Sequence, residues 1–366
     1  MKIICTQENL KTGLSVVGRI ISSSQTLPIL NNLLLKTENG LLKISSTNLE
    51  IAITNNIRCK VEEEGIATVA SKTLVDLINN LPNKNITLQS KGKELFVEAE
   101  NYHTNIKTLP AEEFPLIPQV EGKNILTIGA QELKTAVDQV VFAASTNQTQ
   151  PEISGVLFAG EKGGLRLAAT DRYRLAEKKI LAPQNNAENL EVIVPQKTCQ
   201  ELSRIIANQK GTLEIRFSET QMSVNFNETE IISRLVDGQY PDYRQIIPAS
   251  FTTTSTVEKN SLVNALRAVA IFGQNGNSVN MAFSEEKQQV VLNAESSDLG
   301  RGSVELPAKI EGKGGSLVLN YHYLLDCLNG ISSQNILLKM TDDNSPSLVV
   351  PEDRNDYIYL VMPIKS

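Results

Sequence analysis

Residues that build metal centres and disulfide frameworks are scarce in this sequence of 366 residues. Its two histidines, His103 and His322, form no His-x-x-x-His or His-Glu-x-x-His pattern, the spacings that turn two ligands toward one metal ion. Its four cysteines lie far apart and form no Cys-x-x-Cys pair, the pattern of many zinc sites. We therefore expect no metal, no cofactor and no dense disulfide framework, and we interpret the cysteines as buried or half-buried thiols.

Motifs for phosphate binding and nucleophilic catalysis are also missing. Neither Gly-x-Ser-x-Gly nor Gly-x-Gly-x-x-Gly occurs. The segment Gly312-Lys313-Gly314-Gly315-Ser316 lacks the Walker spacing and precedes a strand-like run, so it is interpreted as a polar turn. His322 and Asp326 lie one helical turn apart, and a contact between them is predicted to be structural. The sequence nominates no catalytic residue, as expected of a binding protein.

Long apolar runs are absent. No segment approaches the roughly 20 apolar residues that cross a bilayer, and Glu8 interrupts the N-terminus before a signal-like stretch can form. We expect a cytoplasmic protein with no membrane partner. Apolar residues make up 41% and charged residues 21% of the chain, which is a globular balance, and the length favours two or three domains.

What the sequence does contain is a threefold internal repeat. A helix with apolar residues at i, i+4 and i+7, the pattern of an amphipathic helix, occurs three times. Its apolar faces are Leu10, Leu14 and Val17, then Leu133, Val137 and Val140, then Leu262, Leu266 and Val269. A second helix recurs at 72–78, 197–202 and 322–328, and hairpin sequence with turns such as Asn39-Gly40 and Gly163-Gly164 lies between the helices.

The repeat predicts an α+β fold of three domains, at residues 1–121, 126–249 and 254–366, each with two helices and antiparallel sheet. Each repeat is long enough to hold its own core, so the repetition is interpreted as determining how the domains are arranged relative to one another. Head-to-tail rotations that close give a ring. The alternative is that the triplication is a relic within a compact enzyme.

Basic residues recur on the predicted helices. They are Lys11, Arg19, Lys72, Lys134, Lys197, Arg204, Lys259 and Arg267. The net charge of −6 argues against a protein that grips nucleic acid with a concentrated basic surface. A protein that holds DNA by topology needs only a mildly basic lining, and acids such as Asp138 and Glu201 on the same helices predict a weak, salt-sensitive attraction.

Five segments, in this order and spacing, make essentially the whole chain resemble one known family. They are Thr26-Leu27-Pro28-Ile29-Leu30, the stretch 170–176 (TDRYRLA), the stretch 235–244 (LVDGQYPDYR), Asn320-Tyr321-His322-Tyr323 and Val361-Met362-Pro363-Ile364. The family is the bacterial DNA sliding clamp, the beta subunit of the replicative DNA polymerase III. The resemblance implies the processivity fold, a head-to-tail homodimeric ring around DNA, and no catalytic activity.

The resemblance also implies partners and site residues. The partners are double-stranded DNA bound without sequence specificity, the replicative DNA polymerase, a clamp-loader ATPase, ligase and mismatch-repair proteins. Each partner protein is expected to insert a short peptide motif of its own into an apolar pocket of this chain. The implied pocket consists of Ile153, Thr170, Tyr173, Arg174, Leu175, Pro241, Ile246, Asn320, Tyr323, Val361, Met362, Pro363 and Ile364. The implied DNA-facing residues are Ser24, Lys72, Asn147 and Lys197. The implied dimer interface joins Thr104 and Ile106 to Ile271 and Phe272.

The chain departs from many family members at Arg172 and Tyr173, where they have a small residue and a histidine, and at Ser24, where they have a basic residue. Pro151-Glu152 stands where some relatives have aromatic residues that touch DNA, so no stacking role is carried over. Reasoning from the residues alone leaves two other classes open. One is an enzyme with an active site between repeats, and the other is a multidomain scaffold that does not touch DNA.

Overall fold

The computed structural model describes residues 1–21, 27–147, 149–274 and 276–365. Within these ranges the chain forms six α-helices and 27 β-strands. It divides into two compact units. Unit 1 consists of Met1–Ala130 and Arg204–Leu235, and unit 2 consists of Gln131–Ser203 and Val236–Ser366.

One order of elements, nine strands and two helices, occurs three times, and the sequence repeat predicted the threefold recurrence and the two helices in each repeat. The first repeat contains β1 (Lys2–Thr6), α1 (Gln7–Val17), β2 (Asn32–Glu38), β3 (Leu41–Thr47), β4 (Ile51–Arg58), β5 (Lys60–Glu63), β6 (Ile66–Ala70), α2 (Ser71–Asn80), β7 (Asn85–Lys91), β8 (Glu94–Ala99) and β9 (Tyr102–Lys107). The second contains β10 (Asn124–Gly129), α3 (Ala130–Val140), β11 (Gly155–Glu161), β12 (Gly164–Thr170), β13 (Arg174–Leu181), β14 (Gln184–Asn185), β15 (Glu191–Pro195), α4 (Gln196–Ile205), β16 (Thr212–Phe217), β17 (Gln221–Phe226) and β18 (Thr229–Arg234). The third contains β19 (Thr253–Glu258), α5 (Lys259–Ala270), β20 (Ser278–Ser284), β21 (Gln289–Ser296), β22 (Gly300–Pro307), β23 (Lys309–Gly312), β24 (Gly315–Asn320), α6 (Tyr321–Gly330), β25 (Asn335–Met340), β26 (Ser347–Pro351) and β27 (Tyr357–Val361).

The helices lie where the apolar periodicity predicts them. Leu10, Leu14 and Val17 of α1 are at most 1% exposed, and the matching residues of α3 and α5 are equally buried. Side chains fix the starts of α1 and α6, because the Thr6 hydroxyl accepts from the backbone N–H of Asn9 (3.3 Å) and the Asn320 side chain accepts from that of His322 (2.9 Å). Burial of one helix face against sheet accounts for most of the stability of helices this short.

Unit 1 contains two antiparallel sheets. One has the strand order β5-β1-β7-β8-β9. In the other, the strands that belong to unit 1 come from two repeats and have the order β10-β16-β17-β18-β4-β3-β2-β6, and the joining pair is β18 with β4, where Ile231 lies opposite Ile53. The predicted turn Asn39-Gly40 links β2 and β3, and both residues have positive φ (52° and 75°), the geometry that suits a two-residue hairpin.

Unit 2 is built by the same rules. One sheet has the order β15-β11-β12-β13-β27-β26-β25-β19-β23, and the other has the order β22-β21-β20-β24. The joining pair is β13 with β27, in which Arg174 lies opposite Val361. Gly312 ends β23 and Gly315 begins β24, with Gly314 at φ 71° between them, so the glycine-rich segment is the polar turn that the sequence predicted.

Candidate partner-binding site on strands β13 and β27

The start of β13 and the end of β27 form the centre of the candidate site. Leu175 lies opposite Leu360 in the ladder, and beyond its last pair the N–H of Met362 donates to the carbonyl of Tyr173 (2.8 Å). The N–H of Ile364 donates to the carbonyl of Val318 (2.8 Å). These main-chain bonds place the terminal segment 361–364 beside the turn that precedes β13.

That turn, Thr170 to Arg174, is fixed by its own side chains. The Asp171 carboxylate accepts from the backbone N–H groups of Tyr173 and Arg174 (both 3.0 Å), and the Thr170 hydroxyl accepts from the N–H of Arg172 (3.2 Å). Arg172 adopts φ 79°, which residues other than glycine and asparagine rarely adopt. The turn thereby presents Tyr173, which is 63% exposed, to solvent.

The guanidinium of Arg174 connects three elements of unit 2. It donates to Asp171 (2.9 Å), to Asp326 on α6 (2.6 Å) and to the carbonyl of Phe142 (2.8 Å), and it lies over the Tyr323 ring at 4.3 Å. Burial lowers the pKa of Arg174, but the hydrogen bond to Asp326 and the charge of Asp171 more than offset this, so its pKa is raised. The charged Arg174 holds the turn against α6. Asp326 is therefore bonded to Arg174 rather than to His322, whose ring packs on Tyr321.

A buried ionic network anchors the segment that leads from the second repeat to the third. Arg166 donates to Glu161 (2.6 Å) and to the Tyr243 hydroxyl, which in turn donates to Glu177 (2.5 Å). Burial raises the pKa of Tyr243 well above its usual value, and the Glu177 charge raises it further. The network fixes Tyr243 and, beside it, a cleft of about 290 Å³ whose wall includes Pro241.

The pocket residues expected from the sequence differ widely in exposure. Tyr173, Ile246 and Ile364 are 63%, 45% and 37% exposed, and Pro241 is also exposed. Half-buried are Arg174, Asn320, Tyr323 and Met362, and buried are Ile153, Thr170, Leu175, Val361 and Pro363. Leu175 belongs to a core cluster with Tyr240, Tyr243 and Leu360, against which Met362 packs.

The described contacts bring one group of these residues together directly. Ladder pairs, hydrogen bonds and ring contacts link Thr170, Tyr173, Arg174, Leu175, Tyr323, Val361 and Met362. Other residues lie on neighbouring segments of unit 2: Ile153 in a short 3-10 turn, Asn320 at the start of α6, and Ile246 at the end of another 3-10 turn. Within this group Tyr173 is exposed and Met362 is half-buried, while Leu175 and Val361 are buried.

Comparison with known proteins identifies the family. Three family models of the DNA polymerase III beta subunit match the chain: that of the N-terminal domain at residues 1–118, that of the central domain at 127–242 and that of the C-terminal domain at 244–365. The chain belongs to the bacterial DNA sliding clamp family. It is 30% identical to the beta sliding clamp of Synechocystis over all of this chain and 99% of the relative, and 28% identical to that of Pseudomonas aeruginosa over both complete chains.

Solved structures agree with this membership. The crystal structure of the P. aeruginosa DNA polymerase sliding clamp has a TM-score of 0.95 with 27% identity, and it covers all of both chains. A P. aeruginosa DnaN sliding clamp bound to griselimycin also has a TM-score of 0.95, with 28% identity over all of both chains. The expected fold of three α+β clamp domains is confirmed. The exact domain bounds 1–121, 126–249 and 254–366 remain a prediction.

The other positions expected from clamp resemblance are distributed over the chain. Lys72 and Lys197 are exposed and are the second residues of α2 and α4, while Asn147 is exposed and accepts from the Thr149 N–H (3.0 Å). Ser24 lies outside the described residues. These DNA-facing assignments remain predictions.

The expected dimer-interface residues lie on or near two strand edges. Thr104 on β9 is exposed, but Ile106 is only 7% exposed within its own unit. Ile271 is 56% exposed, and the Phe272 ring packs closely over Gly302 of β22. The interface assignment remains a prediction, and Ile271 is its most accessible apolar residue.

Sequence reasoning missed the Arg166, Glu177 and Tyr243 network and the bond from Arg174 to Asp326. A signal for the first was available, because Arg166 is the one charged residue in the otherwise apolar run from Leu165 to Ala169. A charge at such a position requires a partner. The structure adds two findings: the described residues contain no group of three or more potential metal ligands, and none of their helices is long and apolar enough to cross a membrane.

Proposed function

We propose that this protein is a DNA polymerase processivity factor, a ring-shaped homodimer that encircles duplex DNA and tethers the polymerase to it. The observation that carries the proposal is a rule for joining repeats. The last strand of one repeat pairs with the fourth strand of the preceding repeat. This happens between β18 and β4 in unit 1 and between β27 and β13 in unit 2.

Two strands lack the partner that this rule would give them. β9 is the last strand of the first repeat and β22 is the fourth strand of the third, and each ends its sheet within the described part of the chain. In β9 every residue but Ile106 is exposed, and in β22 every residue but Leu306 is exposed or half-buried. Such edges present unpaired N–H and C=O groups to other chains.

A second copy would satisfy both edges. If β9 of one copy adds to β22 of the other, and the reverse, two copies form two identical junctions and six repeats close into a ring. Main-chain hydrogen bonds between the two strands would fix the relative orientation of the two copies, and Ile271 beside β22 would add apolar area to the contact. The same rule would then hold at all six junctions.

The charge distribution supports DNA binding that does not read sequence. Lys72 and Lys197 occupy the same position on equivalent helices and are exposed, while the net charge of the chain is −6. Scattered cations on an acidic protein attract phosphate weakly, and salt weakens that attraction further. Retention on DNA would then depend on the closed ring.

The site on β13 and β27 is proposed to dock partner peptides. Tyr173 and Ile364 offer exposed apolar area close to the half-buried Met362, Ile246 offers more in the same unit, and the Arg174 bonds hold the turn. A rigid apolar surface suits a short peptide with leucine and aromatic side chains, bound modestly because ordering the peptide costs free energy. The proposed users are the replicative polymerase, the clamp-loader ATPase, ligase and mismatch-repair proteins, all in the cytoplasm, and the protein itself needs no catalytic activity or cofactor.

The experiment loads the protein onto nicked circular DNA and onto the same DNA after linearisation, using a clamp-loader ATPase, and then raises the salt concentration. Protein on the circle should remain while protein on the linear form slides off its ends. Equal and rapid loss from both substrates would contradict encirclement. Equal retention on both would indicate direct contact with DNA.

A further inference from the structure

Unit 1 contains a turn that repeats the frame of the candidate partner site. The Thr47 hydroxyl accepts from the N–H of Leu49 (3.0 Å), and the Asn48 side chain accepts from those of Glu50 (3.0 Å) and Ile51 (2.8 Å). Thr170 and Asp171 make the same bonds in their own turn. The two left-handed residues also match, since Leu49 has φ 75° and Arg172 has φ 79°.

The strand joint next to this turn is equivalent as well. The N–H of Arg234, just after the last ladder pair of β18 with β4, donates to the carbonyl of Glu50 (2.9 Å), as Met362 donates to Tyr173 (2.8 Å). Ile232 lies opposite Ala52, as Leu360 lies opposite Leu175. The chain therefore builds one backbone frame twice, with different side chains on it.

The first frame carries its own cleft, which we name the unit 1 cleft. It has a volume of about 80 Å³ and is lined by Leu49, Ala52, Leu116, Ile117, Ile232 and Arg234, among others. Leu116 is 97% exposed and Leu49 is 48% exposed, while Ala52 and Ile232 form a buried floor. One water molecule needs roughly 10 to 15 Å³ of such space, so the cleft can hold a few water molecules or one aliphatic side chain, and not a bulky pair.

The rim of the unit 1 cleft differs from that of the candidate partner site in charge. Arg234 stands where the other frame has Met362, and it is exposed. Among the described residues its guanidinium has no carboxylate oxygen within ion-pair distance, and the exposed Glu50, its neighbour across the strands, lines the same cleft. A ligand that brings a carboxylate to Arg234 would complement this rim.

We propose that the unit 1 cleft is a second peptide-docking site, which takes one leucine-like side chain of an extended segment with an acidic residue next to it. The inference deepens the proposed function, on which it rests for the role of the matching frame. Binding is weak because only one side chain is anchored, so it matters for a partner already held elsewhere on the same ring, for which effective concentration replaces affinity.

The test uses the full-length protein and a photo-crosslinking peptide, acetyl-Ser-Asp-photoleucine-Asp-Gly amide, with labelled residues mapped by mass spectrometry. Labels are expected at 49–52 and 115–118. Leu49→Gly should remove them, and glycine suits the positive φ at this position. Arg234→Gln should lower labelling roughly two- to fivefold, the effect of one exposed ion pair. A peptide with Asn in place of both Asp residues should label the wild type and Arg234→Gln equally weakly, because it brings no carboxylate to position 234.

Leu181→Ala is the matched control, because Leu181 is 82% exposed and does not line the unit 1 cleft. It should label like the wild type. Absence of labels at 49–52 and 115–118, or labels there that neither Leu49→Gly nor Arg234→Gln reduces, would overturn the proposal. Labels near Met362 are scored separately, so their absence counts against the partner site of the proposed function and not against the unit 1 cleft.

Discussion

Replacing Ile271 with alanine should weaken the proposed dimer by an amount that the structure allows us to calculate. Ile271 is 56% exposed in the single chain, and complete burial of an isoleucine is worth about 1.5 to 3 kcal/mol. Covering its exposed part therefore contributes up to about 0.8 to 1.7 kcal/mol at each interface. A ring of two copies has two interfaces, so the loss is up to about 1.7 to 3.4 kcal/mol, or roughly 15- to 300-fold in the dimer Kd.

Sedimentation velocity over a dilution series measures this Kd for wild type and Ile271→Ala. The control is Leu181→Ala, since Leu181 is an even more exposed apolar residue that does not lie next to β22. Urea unfolding of both variants checks that the units themselves are unchanged, because truncation of an exposed side chain has little effect on stability. A dimer Kd that is unaltered by Ile271→Ala, or altered equally by Leu181→Ala, would refute the placement of the interface.

Other predictions concern the candidate partner site and the frames that hold it. Met362→Ala should abolish binding of a Gln-Leu-x-Leu-Phe type peptide in fluorescence anisotropy without changing the dimer, whereas Lys365→Ala should leave binding intact because an exposed rim charge contributes little. Tyr243→Phe removes the hydroxyl that accepts a hydrogen bond from Arg166 and donates one to Glu177, so it should lower the free energy of unfolding by about 1 to 3 kcal/mol in urea titrations, while Tyr102→Phe on exposed β9 should not. Hydrogen bonds from Ser261 and Asn260 lower the pKa of Glu258 at the start of α5, so its contribution is present above the unfolded pKa and is lost as the pH falls through the folded value. Thermal unfolding of Glu258→Gln should accordingly depend less on pH in the acidic range than that of wild type.

The repeated fold could be predicted because its signals are local and periodic. Leu10, Leu14 and Val17 fix one helix face, and the same spacing recurs twice, so the helices and the number of repeats followed from the sequence. The joining of repeats could not be predicted in this way. The residues of β4 do not indicate that β18 is its neighbour. Strands pair through main-chain hydrogen bonds, and most side chains are compatible with such pairing.

The candidate site was predictable only in part for a similar reason. The segments around Arg174 and Met362 carry family motifs, but their mutual placement depends on contacts over long sequence separations. Arg174 on β13 donates a hydrogen bond to Asp326 on α6, so Asp326 is paired with Arg174 and not with His322. The buried positions of Leu175 and Val361 likewise follow from packing across the β13–β27 joint, which no local pattern encodes.

Encirclement of DNA by two copies joined at β9 and β22 is tested most directly by covalent closure of the ring. Thr104→Cys is combined in turn with Arg301→Cys, Ser303→Cys or Glu305→Cys, three alternate exposed positions of β22, and the protein is oxidised after loading onto covalently closed circular DNA. A disulfide requires Cα atoms roughly 4.4 to 6.8 Å apart, so one pair should crosslink efficiently between copies. If two copies encircle the DNA, the crosslinked protein stays with the circle in denaturant and is released when the circle is cut. Release from the uncut circle, or crosslinking by none of the three pairs, would contradict it.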